Sequence, residues 1–208
     1  APKHNAPGTD WITTVSSFSA EEVKERNEIR SVGGRDPFQK DLDLIKILLN
    51  DTGTNFLMGL RLLLRVLENA ENVTANQEKA LKMGIGVWTR LQQPIEDARL
   101  MSLLSSLRHI LSSTRNLSLV LYPLRTLAVD SEIFQQISRF IISLGEPALP
   151  SLINTLEAEE ERGMRKKLCL LITSITQETG EDAIMERLAH SSPFLLRNLI
   201  MILGDAKN

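Results

Sequence analysis

Two similar glycine-containing segments recur in the second half of the chain, one helix pair apart. Leu144-Gly145-Glu146-Pro147-Ala148 and Thr179-Gly180-Glu181-Asp182-Ala183 place their glycines 35 positions apart, and Leu203-Gly204-Asp205-Ala206 follows them. Stacked helix pairs repeat at intervals of this length, because two helices and their turns occupy about 33 to 47 residues. The spacing therefore predicts consecutive helix pairs over the last third of the chain.

Apolar residues recur every three or four positions from Asp41 onward, which is the period of an amphipathic helix. In the first such segment Leu42, Ile45, Leu48 and Leu49 share one face. The chain contains no Asn-Gly or Asp-Gly hairpin signal and no sustained apolar–polar alternation. The predicted helices begin near residue 41 and then span residues 56–70, 74–93, 95–113, 116–128, 131–144, 147–157, 160–177, 181–190 and 193–203.

Taken as pairs, the first helices start near residues 41, 74, 116, 147 and 181, at intervals of 33, 42, 31 and 34 positions. Helices with a single leucine-rich face cannot bury it alone, so each pair must pack against the next. The sequence thus predicts an all-α fold, an α-α superhelix or solenoid of about five antiparallel helix pairs. Pro123 lies inside residues 116–128 and should kink or split that helix, because proline lacks the backbone N–H.

Composition separates an N-terminal arm from the repeat domain. Residues 1–36 are rich in breakers and hold one short charged helix candidate at 20–29, where Ser19 and Glu22 form a capping box. We expect this arm to be partly flexible and residues 37–208 to form the helical repeat domain. We also expect the chain to be part of a longer protein, since its last glycine segment opens a pattern that it does not complete.

Charge and cysteine content limit the classes of partner. The net charge is −2 and the pI is about 6.0, so no global basic field attracts nucleic acid or anionic membrane. Cys169 is the only cysteine, which excludes an intrachain disulfide and favours a reducing compartment. No apolar run approaches the roughly 18 residues of a membrane span, and residues 1–10 do not have the pattern of a secretion signal. We therefore expect a cytoplasmic protein with no membrane partner.

The C-terminal third resembles HEAT repeats, members of the armadillo-like α-solenoid family. The resemblance is carried by residues 145–152, by Met164-Arg165-Lys166-Lys167-Leu168, by Leu196-Arg197-Asn198-Leu199-Ile200 and by Leu203-Gly204-Asp205. It covers residues 140–208 well and residues 41–139 only through helix pairing. The resemblance implies a right-handed solenoid that acts as a binding scaffold, with its second helices lining a concave surface.

Phosphate-binding and metal-binding patterns are weak. Gly84 and Gly86 lie in the middle of a predicted helix with no strand before them, so close helix packing explains them better than a nucleotide site. His4, His109 and His190 are far apart, and none is followed four residues later by a carboxylate or a second histidine. We therefore predict no metal site and no cofactor.

Two other features are weighed as catalytic groups. Cys169 lies in an apolar helix after two lysines, so it is either a packing residue or, less favoured, a reactive thiol. Glu157, Glu159, Glu160 and Glu161 lie at the break between two predicted helices. A solvated turn explains these carboxylates better than shared acid–base chemistry, which needs a shielded cleft. We predict no catalytic residue.

A basic stripe is the candidate binding site. It consists of residues expected on second helices, at the concave face: Arg139, Arg165, Lys166, Arg197 and Asn198. Such a stripe can hold an acidic peptide or a phosphate backbone. The competing interpretation, which the sequence favours, is that these arginines contact acidic residues of adjacent repeats and so link one helix pair to the next.

The leading functional prediction is a non-enzymatic protein–protein interaction scaffold, with a protein or peptide partner on the concave face. The alternative is a nucleic-acid-binding or DNA-repair domain that uses a basic concave groove, and nucleic acid is the less favoured partner. A third hypothesis is a regulatory module in which the N-terminal arm docks along the groove.

Overall fold

The computed structural model describes residues 37–69, 75–91 and 96–207; the predicted arm, residues 1–36, lies outside the described residues. The described chain consists of helices and turns and contains no strand, which confirms the all-α fold class. The α-helices are α1 (Pro37–Leu49), α2 (Gly53–Asn69), α3 (Ala75–Arg90), α4 (Ala98–Leu111), α5 (Thr114–Leu121), α6 (Glu132–Leu144), α7 (Leu149–Ala158), α8 (Arg162–Glu178), α9 (Glu181–Leu188) and α10 (Pro193–Ala206).

Serine side chains begin three of these helices. Ser113, Ser131 and Ser192 each accept a hydrogen bond from the backbone N–H three residues further on. Such a bond satisfies one of the N–H groups that have no partner in the first turn of a helix. Pro193 occupies the first turn of α10, where a missing N–H costs no hydrogen bond.

Pro123 splits the predicted helix 116–128, as expected. The α-helix α5 ends at Leu121, and a 3-10 turn follows over Tyr122–Arg125. Another 3-10 turn, Glu146–Ala148, precedes α7 and contains Pro147. In both places the proline cannot donate to the preceding turn of an α-helix, so the chain takes the tighter turn instead.

The chain divides between Ile110 and Leu111 into two compact units. In the first unit α1, α2 and α3 each contact the other two. Gly59 brings α1 and α2 close together, because a Cβ atom there would lie 2.7 Å from the Cβ atom of Leu48. The buried leucine and isoleucine side chains of α1 and α2 include Leu42, Ile45, Leu60 and Leu63.

The second unit contains α5 to α10, which alternate as the first and second helices of the predicted pairs. The first helices contact one another, α5 with α7 and α7 with α9, and the second helices do the same, α6 with α8 and α8 with α10. Within the pairs, α7 packs on α8 and α9 packs on α10. The core side chains with 0% exposure include Phe134, Leu152, Leu168, Ile172 and Leu199. Helix α8 therefore lies between α6 and α10.

The three glycines of the repeated segments do not behave alike. Gly145 and Gly180 have positive φ angles of 61° and 93° and follow second helices. A Cβ atom at Gly180 would also come within 2.5 Å of Leu149 Cδ1. Gly204, by contrast, lies inside α10, which continues to Ala206, three residues past the predicted end. Glycine permits a chain reversal but does not impose one, and no proline follows Gly204.

Candidate functional site

A groove with a volume of about 740 Å³ lies between α8 and α10. Helix α8 contributes residues from Arg162 to Gln177, and α10 contributes residues from Phe194 to Asp205, at spacings of one, three or four. Residues at these spacings share one face of a helix. The two helices therefore present one continuous strip of side chains.

Four of the five predicted binding residues line this groove. Arg165 and Lys166 come from α8, and Arg197 and Asn198 come from α10. Arg139 is exposed on α6 and does not line the groove. Its Nε donates to the carbonyl oxygen of Gln135 in its own helix, at 3.3 Å. The structure thus brings together the members of the stripe on α8 and α10 and leaves the one on α6 apart.

Arg165 is held by two different kinds of partner. Its Nη1 donates to the carbonyl oxygens of Glu160 and Glu159, at 2.8 and 3.3 Å, in the turn that follows α7. Its Cζ lies 5.2 Å from the ring centroid of Phe194. A cation is favourable both at the negative end of a helix and over an aromatic face. Because Arg165 and Phe194 lie in the first two turns of α8 and α10, this contact places the two N-terminal ends side by side.

The other three basic residues of the groove are exposed. Arg162, Lys166 and Arg197 form no hydrogen bond or ion pair with any residue in the described part of the chain. Asn198, beside Arg197, donates from Nδ2 to the carbonyl oxygen of Phe194 at 3.0 Å. The cations of the groove other than Arg165 are therefore available to a ligand.

Most of the carboxylates near the N-terminus of α8 are paired outside the groove. Glu159 accepts two hydrogen bonds from the Arg125 guanidinium, at 2.6 and 3.1 Å. Glu161 lies 3.7 Å from Arg125, and Glu157 lies 3.2 Å from Arg187. Because these acids have other partners, they do not neutralise the cations that line the groove.

Glu159 is the exception in the acidic cluster, whose other members Glu157, Glu160 and Glu161 are exposed, as a solvated turn requires. It is only 8% exposed. Burial by itself raises the pKa of its carboxyl, but the hydrogen bonds from Arg125 and from the backbone N–H of Glu161 outweigh burial and lower the pKa below its ordinary value. The same carboxylate raises the pKa of the Arg125 guanidinium. A buried, paired carboxylate of this kind is structural and has no access to a substrate.

Ion pairs and hydrogen bonds from cations do link adjacent predicted helix pairs, but the cations that make them lie outside the stripe. Arg187 on α9 reaches Glu157 on α7 at 3.2 Å, across 30 positions of sequence. Lys167 on α8 donates to the carbonyl oxygens of Leu124 and Leu127, at 2.6 and 2.7 Å. The prediction that the arginines of the stripe make such contacts with acidic side chains therefore falls on the wrong residues. The sequence signal for these inter-pair contacts is a lysine or arginine that lies about one repeat length from its hydrogen-bond acceptor.

Sequence reasoning missed the apolar part of the groove. Leu170, Phe194 and Met201 line it and are 49%, 44% and 52% exposed. Leu170 follows Lys166 by one helical turn, and Met201 follows Arg197 by one turn. An apolar residue placed one turn after a cation of the stripe is the signal that would have found them.

Cys169 also lines the groove and is half-buried. Burial raises the pKa of its thiol, and the nearby Asp205 raises it further, while Arg165 acts in the opposite direction. The thiol therefore stays protonated at neutral pH, which favours the packing role over a reactive thiolate.

Neither a metal-binding cluster nor a membrane-spanning helix is found among the described residues. No group of three or more histidine, cysteine, aspartate or glutamate side chains there is arranged to hold a metal ion. None of the helices described is both long and apolar enough to cross a lipid bilayer. Comparison with models of protein families, with curated proteins and with solved structures gave no match.

Proposed function

We propose that this protein is a non-enzymatic scaffold for protein–protein interaction, and that the groove between α8 and α10 binds a peptide segment of its partner. One observation carries the proposal: three large apolar side chains are about half exposed in a groove that also holds cations with no hydrogen bond or ion pair to a described residue. An exposed apolar surface of this kind is typical of a protein-binding site. Peptides that dock in grooves combine apolar anchors with charged contacts in the same way.

The scaffold part of the proposal extends to the whole described chain. We infer that the helix pairs stack as HEAT-like repeats of a solenoid, about five in number. The alternating contacts of α5 to α10 support this, as do Gly145 and Gly180, which recur after 35 positions with positive φ. The cytoplasmic location predicted from the single cysteine belongs to the same proposal.

Nucleic acid is the second candidate, because four basic residues line the groove against one carboxylate, Asp205. A phosphate backbone, however, leaves Leu170 and Met201 uncovered, and the net charge of −2 provides no long-range attraction. Binding of a DNA oligonucleotide that falls steeply with salt and weakens when Arg162 and Lys166 are both changed to glutamine would favour this candidate. Arg139→Gln is the control outside the groove.

A selection from a displayed peptide library tests the leading proposal. The full chain is compared with a variant that carries Leu170→Asp and Met201→Asp, which places two charges on the apolar part of the groove. Both side chains are about half exposed, so the variant should fold, and its circular dichroism spectrum checks this. We expect the selected peptides to bind the wild-type chain and to lose affinity for the variant. Peptides that bind both chains equally would place the binding surface elsewhere.

A further inference from the structure

The lining of the groove changes from basic to uncharged along α8. Its first two turns carry Arg162, Arg165 and Lys166, and Leu170 follows one turn later. Beyond Leu170 the lining residues of α8 are uncharged, and the last of them is Gln177. All the basic residues that α8 gives to the groove therefore lie at its N-terminal end.

The same order is found on α10. Arg197 comes in its second turn, Met201 one turn later, and Asp205 in the last turn. Since Arg165 lies against Phe194, the N-terminal ends of both helices meet at one end of the groove. The partial positive charge of the two helix N-termini adds to the field of the side chains there. The groove thus has a cationic end followed by an apolar middle.

The cationic end keeps its charge because three of the four nearest acids are paired with other cations, and the fourth, Glu160, makes no ion pair with a described residue. Glu159 and Glu161 are both within ion-pair distance of Arg125, on the 3-10 turn before α6. Glu157 is paired with Arg187 on α9. A ligand that supplies carboxylates would therefore meet cations that have no competing partner inside the groove.

Resting on the peptide-binding function proposed above, we propose that the groove selects an acidic segment that also carries apolar anchors. The carboxylates of the segment lie at the N-terminal ends of α8 and α10, against Arg162, Lys166 and Arg197. Its apolar side chains cover Leu170 and Met201. Charge complementarity with the basic end gives this partner its specificity, and burial of the apolar side chains gives it much of its affinity.

The helix geometry sets the spacing within the segment. Lys166 and Leu170, like Arg197 and Met201, are four residues apart, which is about 6 Å along a helix axis. In the partner, each carboxylate should therefore lie about one helical turn from an apolar side chain. An amphipathic helix with acidic residues next to its apolar face meets this requirement.

Two synthetic peptides test the inference on the full chain. Both are fluorescein-labelled helical peptides with the same leucines, and the glutamates of one are replaced by lysines in the other. Binding is measured by fluorescence anisotropy at low and at physiological salt. We expect the glutamate peptide to bind at least about tenfold more tightly than the lysine peptide at low salt. The combined Arg162→Gln and Lys166→Gln variant should weaken its binding about tenfold, because two exposed ion pairs are lost. Arg139→Gln should leave it unchanged.

The outcomes separate this inference from the proposed function. Equal binding of the two peptides, abolished by Leu170→Asp and Met201→Asp, would overturn the acidic preference but keep the peptide groove. No binding of either peptide would also overturn the preference, and the library selection would then decide on peptide binding independently. Binding of a single-stranded DNA oligonucleotide in place of both peptides, sensitive to Arg162→Gln and Lys166→Gln, would overturn both proposals.

Discussion

The guanidinium of Arg165 lies 5.2 Å from the ring centroid of Phe194 while its Nη1 donates to the carbonyl oxygens of Glu160 and Glu159. One side chain thus joins three elements: the turn after α7, the first two turns of α8 and the first turn of α10. Arg165 is therefore as much a structural residue of the groove as a binding residue. Arg162, one turn earlier on α8, lines the same groove with no such contacts to described residues.

This difference predicts unequal effects of two similar substitutions. Arg165→Gln should lower the free energy of unfolding by about 1 to 2 kcal/mol, because it removes charged hydrogen bonds and a cation–π contact at a partly exposed site. Arg162→Gln should change it by less than about 0.5 kcal/mol, as expected for an exposed side chain that forms no hydrogen bond or ion pair with a described residue. Urea unfolding followed by circular dichroism measures both. Equal losses would show that the contacts of Arg165 contribute nothing to stability.

The lowered pKa of Glu159 makes stability depend on pH. A carboxyl whose pKa is lower in the folded than in the unfolded chain stabilises the fold above its unfolded pKa, about 4.3 for glutamate. That contribution is lost as the pH falls from there through the folded pKa. Glu159→Gln removes the ion pair with Arg125, so we expect it to lower the free energy of unfolding by about 1 to 2 kcal/mol at neutral pH. The loss is no larger because the Arg125 side chain is partly exposed. The difference in free energy of unfolding between the wild-type chain and Glu159→Gln should shrink below about pH 4.

Unfolding curves across acidic and neutral pH measure this prediction. Glu160→Gln is the matched control, because it removes a carboxylate from the same turn. The Glu160 side chain is exposed and makes no ion pair with a described residue. A deficit for Glu159→Gln that stays constant from neutral to acidic pH would exclude the ion pair with Arg125 as its cause.

The neighbouring lysines of α8 should have different roles, Lys167 in stability and Lys166 in peptide binding. Lys167→Met removes the cation that binds the carbonyl oxygens of Leu124 and Leu127, so the free energy of unfolding should fall by about 1.5 to 3 kcal/mol. Lys166→Met, at an exposed position in the groove, should leave stability within about 0.5 kcal/mol and weaken binding of an acidic peptide instead. Thermal or urea unfolding together with peptide titration checks the pair. A stability loss at position 166 equal to that at 167 would contradict this assignment.

Gly180, which follows α8, and Gly204, which lies inside α10, should respond differently to substitution by alanine. Gly180→Ala should lower the free energy of unfolding by at least about 1 to 2 kcal/mol, because the φ of 93° disfavours a Cβ atom. The contact with Leu149 Cδ1 adds to that cost. Gly204→Ala has open space around its Cβ and lies within α10, so it should raise stability by up to about 1 kcal/mol. The measurement is the shift of the unfolding midpoint, and shifts of the same sign would refute the difference between the two positions.

Local signals made the helices predictable from the sequence. The helical period of apolar residues, the serine cap at 131 and the proline at 123 each act within one or two turns, so no distant residue is needed to interpret them. The same holds for the positions of Arg165, Lys166, Arg197 and Asn198 on one face of second helices.

The remaining features depend on residues far away in sequence. Glu159 reads as a solvated turn residue until Arg125, 34 positions earlier, is placed beside it. Leu170 and Met201 have the same spacing as core residues, and only the packing of α8 against α10 decides that they stay exposed. Arg139 has the pattern of the stripe but lies on α6, outside the groove that α8 and α10 line.

Protection of Cys169 from alkylation by a bound peptide tests the central claim most directly. Cys169 is the only cysteine of the chain and lines the groove beside Leu170, so intact-protein mass spectrometry reports on this one position. The raised pKa of its thiol makes mildly alkaline pH suitable for the reaction. A variant with Cys169→Ser and Ser118→Cys, which moves the thiol to an exposed position of α5, is the control. We predict that a saturating peptide from the library selection slows alkylation of Cys169 severalfold and leaves the control rate unchanged. An unchanged rate at Cys169 with the peptide fully bound would contradict the assignment of the groove between α8 and α10 as the binding site.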